Sequence, residues 1–479
     1  MLAALQRAPL AAGLIAAAVT AGLGVSRLNL SRDGLVLGAI GALLVMPIVI
    51  RFLQRRFDPF EPIVIFVVAF GAMFFIRPLA MLAEGSFVYE RSSRTISVQD
   101  TFSEMMVLAA AGAAAFIGAY ALPHGRRVAA ALKVPNKSFH IGRILWGAVA
   151  TAVVGVILSV LFLAEARVSL DLILAGRSPR LTEAYRSSSA YLAQGPYLLA
   201  SSALILLAAG RTYARKGFVI LAGIIALVVL FLSVPTGSRM LLLPFIGGAV
   251  VYHYVSRRTR PGIFALIGLL VISCFVSKLL LDSRNGDQGH SEAARSILQH
   301  PERMLDPLTR SSDAEMAAAL AVALKVIPEE MEFMRGGATV GDFVRRPMPR
   351  ELWREKPLSP RETLISRLWP TEYRHGVANP EFSVLLYFYL DFALLGVIVG
   401  MALYGVIARV IYEYFRLHGD SLVVRLVFSL SVPFIAIALR DSPVDTFMRA
   451  AFVIVPVVVV FGFAAKRDQR LVPRGLSAG

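Results

Sequence analysis

Apolar runs of close to twenty residues recur along nearly the whole chain, and they leave few folds open. Residues 217–235, GFVILAGIIALVVLFLSVP, are one of them. A run of that length crosses the hydrocarbon of a bilayer as a helix, the form that satisfies its own backbone there. The runs are continuous rather than alternating, which excludes a β-barrel. Only 17% of residues are charged and 57% are hydrophobic, whereas a soluble domain carries about a quarter charged. The expected fold is an all-α polytopic membrane protein of about twelve transmembrane helices.

The spans are expected near residues 9–25, 34–50, 60–83, 104–122, 143–164, 191–209, 217–235, 238–255, 262–281, 382–408, 421–439 and 444–465. Residues 1–281 are then a bundle of nine spans, 282–381 a long extracytoplasmic loop, 382–465 the last three spans, and 466–479 a cytoplasmic tail. The first run also has the shape of a signal-peptide core, since Arg7 precedes it and small residues follow. An anchor is preferred, because the loop charges fit one orientation either way. Residues 471–475, LVPRG, match a protease-site tag and are given no function.

The short loops set the orientation. Arg51, Arg55 and Arg56 fall on one side, with Arg126, Arg127, Lys133, Arg211, Arg215, Lys216, Arg257, Arg258, Arg260, Arg409 and Arg416. By the positive-inside rule that side is cytoplasmic, and so are both termini. The same rule accounts for the net charge of +17. No aromatic–basic RNA motif or zinc spacing accompanies it, so nucleic acid is excluded as a partner. The single cysteine, Cys274, lies in an apolar run, which excludes disulfides and cysteine-based metal sites within one chain.

The long loop divides in two. Asp282–Met334 carries five basic and ten acidic residues, and Arg335–Pro380 nine basic and five acidic. In the first part, Ser312 and Glu315 form a capping-box pattern ahead of an apolar run to Ile327. This predicts a helix of about four turns, packed on the bundle or lying at the interface. The second part contains RRPMPRELWREKP, residues 345–357, with basic Arg345, Arg346, Arg350, Arg354 and Lys356. Its prolines stiffen the chain, and planar guanidiniums on a stiff loop suit phosphate or carboxylate. The plain alternative is solvated charge paired with Glu351 and Glu355. A short helix at Glu362–Leu368 follows.

Other polar residues lie at the expected outer ends of spans. Arg239 closes the hairpin Thr236–Arg239, reading TGSR, and Arg440 and Asp441 sit between the last two spans with Asp445 and Arg449 beyond. Such charges bind a ligand, snorkel to headgroups or pair between helices. Arg77 has the same readings. Tyr185 and Tyr191 flank an arginine-containing loop and are weak candidates for sugar stacking. Glu381 and His375 are the candidate general bases. The histidines show no metal spacing, and no G-x-S-x-G, P-loop or dinucleotide fingerprint occurs. No cofactor is expected.

Pro349, Arg350, Trp353, Lys356 and Pro357 resemble the "PR-x-hydrophobic-aromatic-x-x-KP" signature of bacterial oligosaccharide-repeat-unit polymerases, the Wzy-type family. Glu381, Tyr389, Asp391, Gly396 and Gly400 are similar to that family's "E-x-Y-x-N-F-G-x-x-G" span. The chain has Asp391 and Ala393 where the family more often has Asn and Gly. The TGSR hairpin also resembles one of the family's middle loops. The resemblance covers roughly residues 230–410.

It implies a GT-C-like, metal-independent glycosyltransferase in the bacterial inner membrane, joining repeat units carried on undecaprenyl pyrophosphate. Partners would be lipid-linked oligosaccharides, membrane lipids, a chain-length regulator and a flippase. The arginines would stabilise the pyrophosphate leaving group. Arg239, Arg284, Arg350, Lys356 and Arg440 are the residues expected to reach it. The alternatives are an O-antigen ligase-like transferase, a polysaccharide or lipid transporter, which mid-membrane charges and paired repeats would mark, and a non-catalytic scaffold.

Overall fold

The computed structural model describes residues 32–91, 94–133, 138–165, 188–233, 242–285, 290–300, 315–346, 348, 353, 355–374 and 380–466. Among these residues, eight helices are long and apolar enough to cross a membrane. They are α1 (Arg32–Leu53), α2 (Pro62–Glu84), α3 (Gln99–Ala121), α5 (Ile141–Glu165), α6 (Tyr191–Thr212, opening with a 3₁₀ turn), α15 (Val384–His418), α16 (Leu422–Arg440) and α17 (Pro443–Ala464). The short α4 (His124–Ala131) joins α3 to α5. The chain is an all-α, membrane-embedded protein.

The remaining expected spans are less regular. The first, near 9–25, lies outside the described residues. Helix α7 runs Lys216–Ser233, and its apolar part is shorter than those of the eight. The run near 238–255 is helical from 242 onward, passing through a π turn, Leu243–Gly247, that holds Pro244, and into α8 (Gly248–Ser256). Helix α9 spans Ile263–Asn285.

Two apolar cores hold the bundle together. One joins α1, α2, α3 and α15, and the other joins α5, α6, α7, α16 and α17. Glycine sets the approach of α15 to α3. A Cβ on Gly405 would stand 2.4 Å from the Phe116 carbonyl oxygen, and one on Gly112 2.7 Å from Leu385 Cδ2. Neither space exists for a larger residue.

The long loop folds back into one end of the bundle, called here the loop end. After α10 (His290–Gln299), α11 (Met316–Leu324) has all nine residues buried. Glu315 is its N-cap and Ser312 lies outside the described residues, so the helix is shorter than the four turns expected. It packs on the bundle rather than at the interface, because it is apolar on every face. Thr101 Oγ1 donates to the Ala321 carbonyl at 2.7 Å, and Lys325 meets Asp100 at 2.8 Å. A two-stranded hairpin, Val88–Arg91 with Arg94–Ser97, packs beside it.

Three short helices complete the loop: α12 (Val340–Arg345), α13 (Pro360–Leu368) and α14 (Pro370–Arg374). The expected helix at 362–368 starts two residues earlier. A reciprocal capping box fixes it, with Ser359 N–H donating to Glu362 at 2.8 Å and Glu362 N–H to Ser359 Oγ at 3.3 Å.

Helix α15 breaks at Phe392 and Ala393, the latter at φ +52° and ψ −141°. The break would orphan the carbonyls of the preceding turn. The long loop satisfies two of them. Met334 N–H donates to Leu390 O at 2.7 Å and Arg335 N–H to Asp391 O at 3.2 Å. The Asp391 carboxylate then accepts from Ala338 N–H and the Thr339 hydroxyl. This aspartate, a departure from the resembled pattern, anchors the loop ahead of α12.

Candidate functional site

The loop end gathers charge from segments far apart in sequence. Arg440 ends α16, and α17 starts three residues later, capped by Ser442 accepting from Asp445 N–H at 2.9 Å. Glu381 lies just ahead of α15. Arg361 is in the first turn of α13, and Arg346 follows α12.

Glu381 Oε1 sits between two guanidiniums, 3.3 Å from Arg361 Nη2 and 3.7 Å from Arg440 Nη2. Arg361 also donates through Nε and Nη2 to the Pro380 carbonyl, at 3.1 and 3.0 Å. Arg346 donates to Asp445 and lies 3.9 Å from Asp342. Arg449 donates to Asp441, and the Ser442 hydroxyl to Asp445 at 2.9 Å. The Tyr191 hydroxyl donates to the Arg346 carbonyl. Arg345 bonds the Gly337 and Gly341 carbonyls at 2.7 and 3.0 Å, and Lys356 those of Met348 and Arg346 at 2.8 and 3.4 Å. Six cations thus face four carboxylates.

Partial burial makes these charges matter. Burial pushes the Asp441 carboxyl up to about 6, with Arg449 opposing and Glu381 adding to the rise. Asp342 is raised by burial against the pull of Arg346. Arg346 is held firmly cationic, chiefly by Asp445. Burial works against the Arg361 charge, but Glu381 and the neighbouring acids outweigh it. The arrangement can bind an anion and offers carboxylates as proton acceptors.

Of the expected site residues, Glu381 and Arg440 meet here, and Lys356 stands at the Arg346 side of the same cluster. Arg284 lies in the last turn of α9, and its side chain is outside the described residues. Arg239, Arg350 and His375 lie outside them altogether, as does Tyr185.

The structure decides between two pairs of alternatives and adds one residue. Arg440 meets Glu381, and Asp441 meets Arg449 eight residues on, which faces it two turns down α17. Arg346 is not solvated charge, since it ion-pairs with Asp445 across 99 residues. Arg361 carried no sequence signal beyond being one of many loop arginines, and only the fold of α13 against Pro380 brings it in.

The fold and this cluster define an all-α membrane protein with a partly buried, arginine-rich site at one end of its helices. No protein-family model, curated protein or solved structure matches the chain.

Proposed function

We propose that the chain is a glycosyltransferase that polymerises oligosaccharide repeat units carried on undecaprenyl pyrophosphate, as the Wzy-type resemblance implies. In this reading it spans the bacterial inner membrane about twelve times, with both termini cytoplasmic and the loop end outside. The observation that carries it is the convergence of Arg361 and Arg440 on Glu381, where α15, α16 and α17 end or begin. Phosphates of a membrane-anchored lipid lie at that level. Apolar surface for the lipid adjoins the cations, because Val340, Phe343 and Val344 of α12 are exposed and the Phe343 ring meets that of Phe447 on α17 at 5.0 Å.

The reaction follows from the charges. A hydroxyl of the acceptor sugar attacks the anomeric carbon of the growing chain. Its O–H bond breaks, and the proton passes to a carboxylate, for which Glu381 is the described candidate. The bond from that carbon to the phosphate oxygen breaks, and the electron pair leaves on the lipid pyrophosphate. Arginines already in place stabilise the developing charge without reorganisation.

Purified protein supplied with lipid-linked repeat units is expected to yield a ladder of glycan lengths. Transfer of one glycan to a lipid A core acceptor, with no ladder from repeat units alone, would replace this reading with that of a ligase.

A further inference from the structure

We infer that Glu381 is a built-in stand-in for ligand phosphate, occupying the anion site of Arg361 and Arg440 until a phosphate group displaces it. The inference rests on the pyrophosphate reading above and adds how that site is regulated.

Both guanidiniums reach the same oxygen of Glu381, at 3.3 and 3.7 Å. Charge-assisted bonds of this type close to about 2.7–2.9 Å, so this carboxylate is held by charge more than by made hydrogen bonds. The neighbouring acids are held otherwise. Asp445 accepts from Arg346 and from Ser442, and Asp441 accepts from Arg449.

Arg361 does not need Glu381 to keep its orientation, because its Nε and Nη2 already grip the Pro380 carbonyl. Glu381 lies in non-helical chain ahead of α15. Side-chain rotation there moves the carboxylate without unwinding a helix. Its side chain is 20% exposed, so it has somewhere to go.

A second observation points to a ligand. Ser383, two residues along, is the N-cap of α15 and fully buried, yet its hydroxyl has no hydrogen-bond partner. An N-cap hydroxyl ordinarily accepts from the first helical turn. Left unused two residues from Glu381, it is a donor open to an oxygen, at a helix end that favours anions.

Displacement also times the chemistry. Once phosphate takes the two arginines, the Glu381 carboxylate is released to reach the acceptor hydroxyl in the transfer described above.

The test is binding of inorganic pyrophosphate to the full-length protein in lipid nanodiscs, by titration calorimetry. Removing a competitor that fills the site in about nine molecules of ten raises apparent affinity about tenfold. Glu381→Gln and Glu381→Ala are both expected to show that gain while elongating glycans more slowly than wild type. A collapsed site would lose affinity, so two variants of different shape separate released competition from local damage. Unchanged or weaker binding in both, with Arg361→Ala losing the wild-type binding, overturns the stand-in and leaves the phosphate site standing. Arg361→Ala and Arg440→Ala each binding like wild type overturns both.

Discussion

Two networks of partly buried charge lie toward opposite ends of α15, and they differ in how tightly their members are held. Away from the loop end, Glu61 is 2% exposed and receives Arg51 at 2.7 Å, the Tyr120 hydroxyl at 3.1 Å and Arg409 at 3.6 Å. Arg409 also meets Glu413 at 2.6 Å, and its guanidinium lies 5.1 Å from the centre of the Tyr120 ring. Arg416 adds a 3.1 Å contact to Glu413, and Tyr412 donates to Asp58 at 3.1 Å. Apart from Glu61 and Asp58, which immediately precede α2, every member sits on α1, α3 or α15, and the short contacts leave little to exchange. At the loop end, Arg346 and Arg361 and the exchangeable Glu381 come from non-membrane chain, and the Glu381 contacts are long. The first network ties helices together. In the proposed reading the second offers its cations to a ligand.

The comparison predicts opposite phenotypes for two arginine deletions. Arg440→Ala is expected to cut glycan elongation by about a hundred- to a thousandfold, the usual loss when one donor to a developing oxyanion is removed, while the protein remains folded in detergent. Arg409→Ala is expected to cost about 3–5 kcal/mol of stability, because it strands Glu61 and Glu413 as buried carboxylates short of a cation. Thermal unfolding and elongation assays on both variants decide it. A stable Arg409→Ala protein, or an Arg440→Ala protein with full elongation, would erase the distinction between the two ends.

Asp441 sharpens the comparison through pH. Its folded value of about 6 lies above that of an unfolded aspartate, near 3.9. The folded state therefore favours the protonated form. The stabilisation this brings is fully present below about pH 4 and is lost as pH rises through about 6. Asp441→Asn, which mimics the protonated form, should flatten the pH dependence of the melting temperature across that window. An unaltered pH profile in Asp441→Asn would show that other acids set the slope.

How much of this could be read from the sequence differed between the two kinds of feature. Periodicity and length alone located the eight long helices, because hydrocarbon admits few backbone solutions. The short helix expected at 362–368 placed α13 to within two residues. Glu381 and Arg440 were legible as polar residues at the ends of apolar runs. Arg346 and Arg361 were not, since a loop arginine looks the same whether it faces water or an aspartate 99 residues away. The burial of α11 was legible only as one of two alternatives, because an apolar helix in a polar loop can pack on the bundle or lie at the interface until its partners are known.

The smallest expected effect concerns the joint that carries the loop end. Ala393 holds φ +52° and ψ −141°, a region open almost only to glycine. The resembled pattern more often has Gly at this position. The strain persists because Met334, Arg335, Ala338 and Thr339 bond to Leu390 and Asp391 on the near side of the break. Ala393→Gly relieves the Cβ clash but loosens the unfolded chain, which opposes the gain. The net expectation is a stabilisation of about 1 kcal/mol with elongation unchanged. Thermal unfolding measures it. A lower melting temperature would mean that the alanine side chain, packed against the first core, contributes more than its backbone strain costs. The break in α15 would then be a feature of this packing rather than of the loop it anchors.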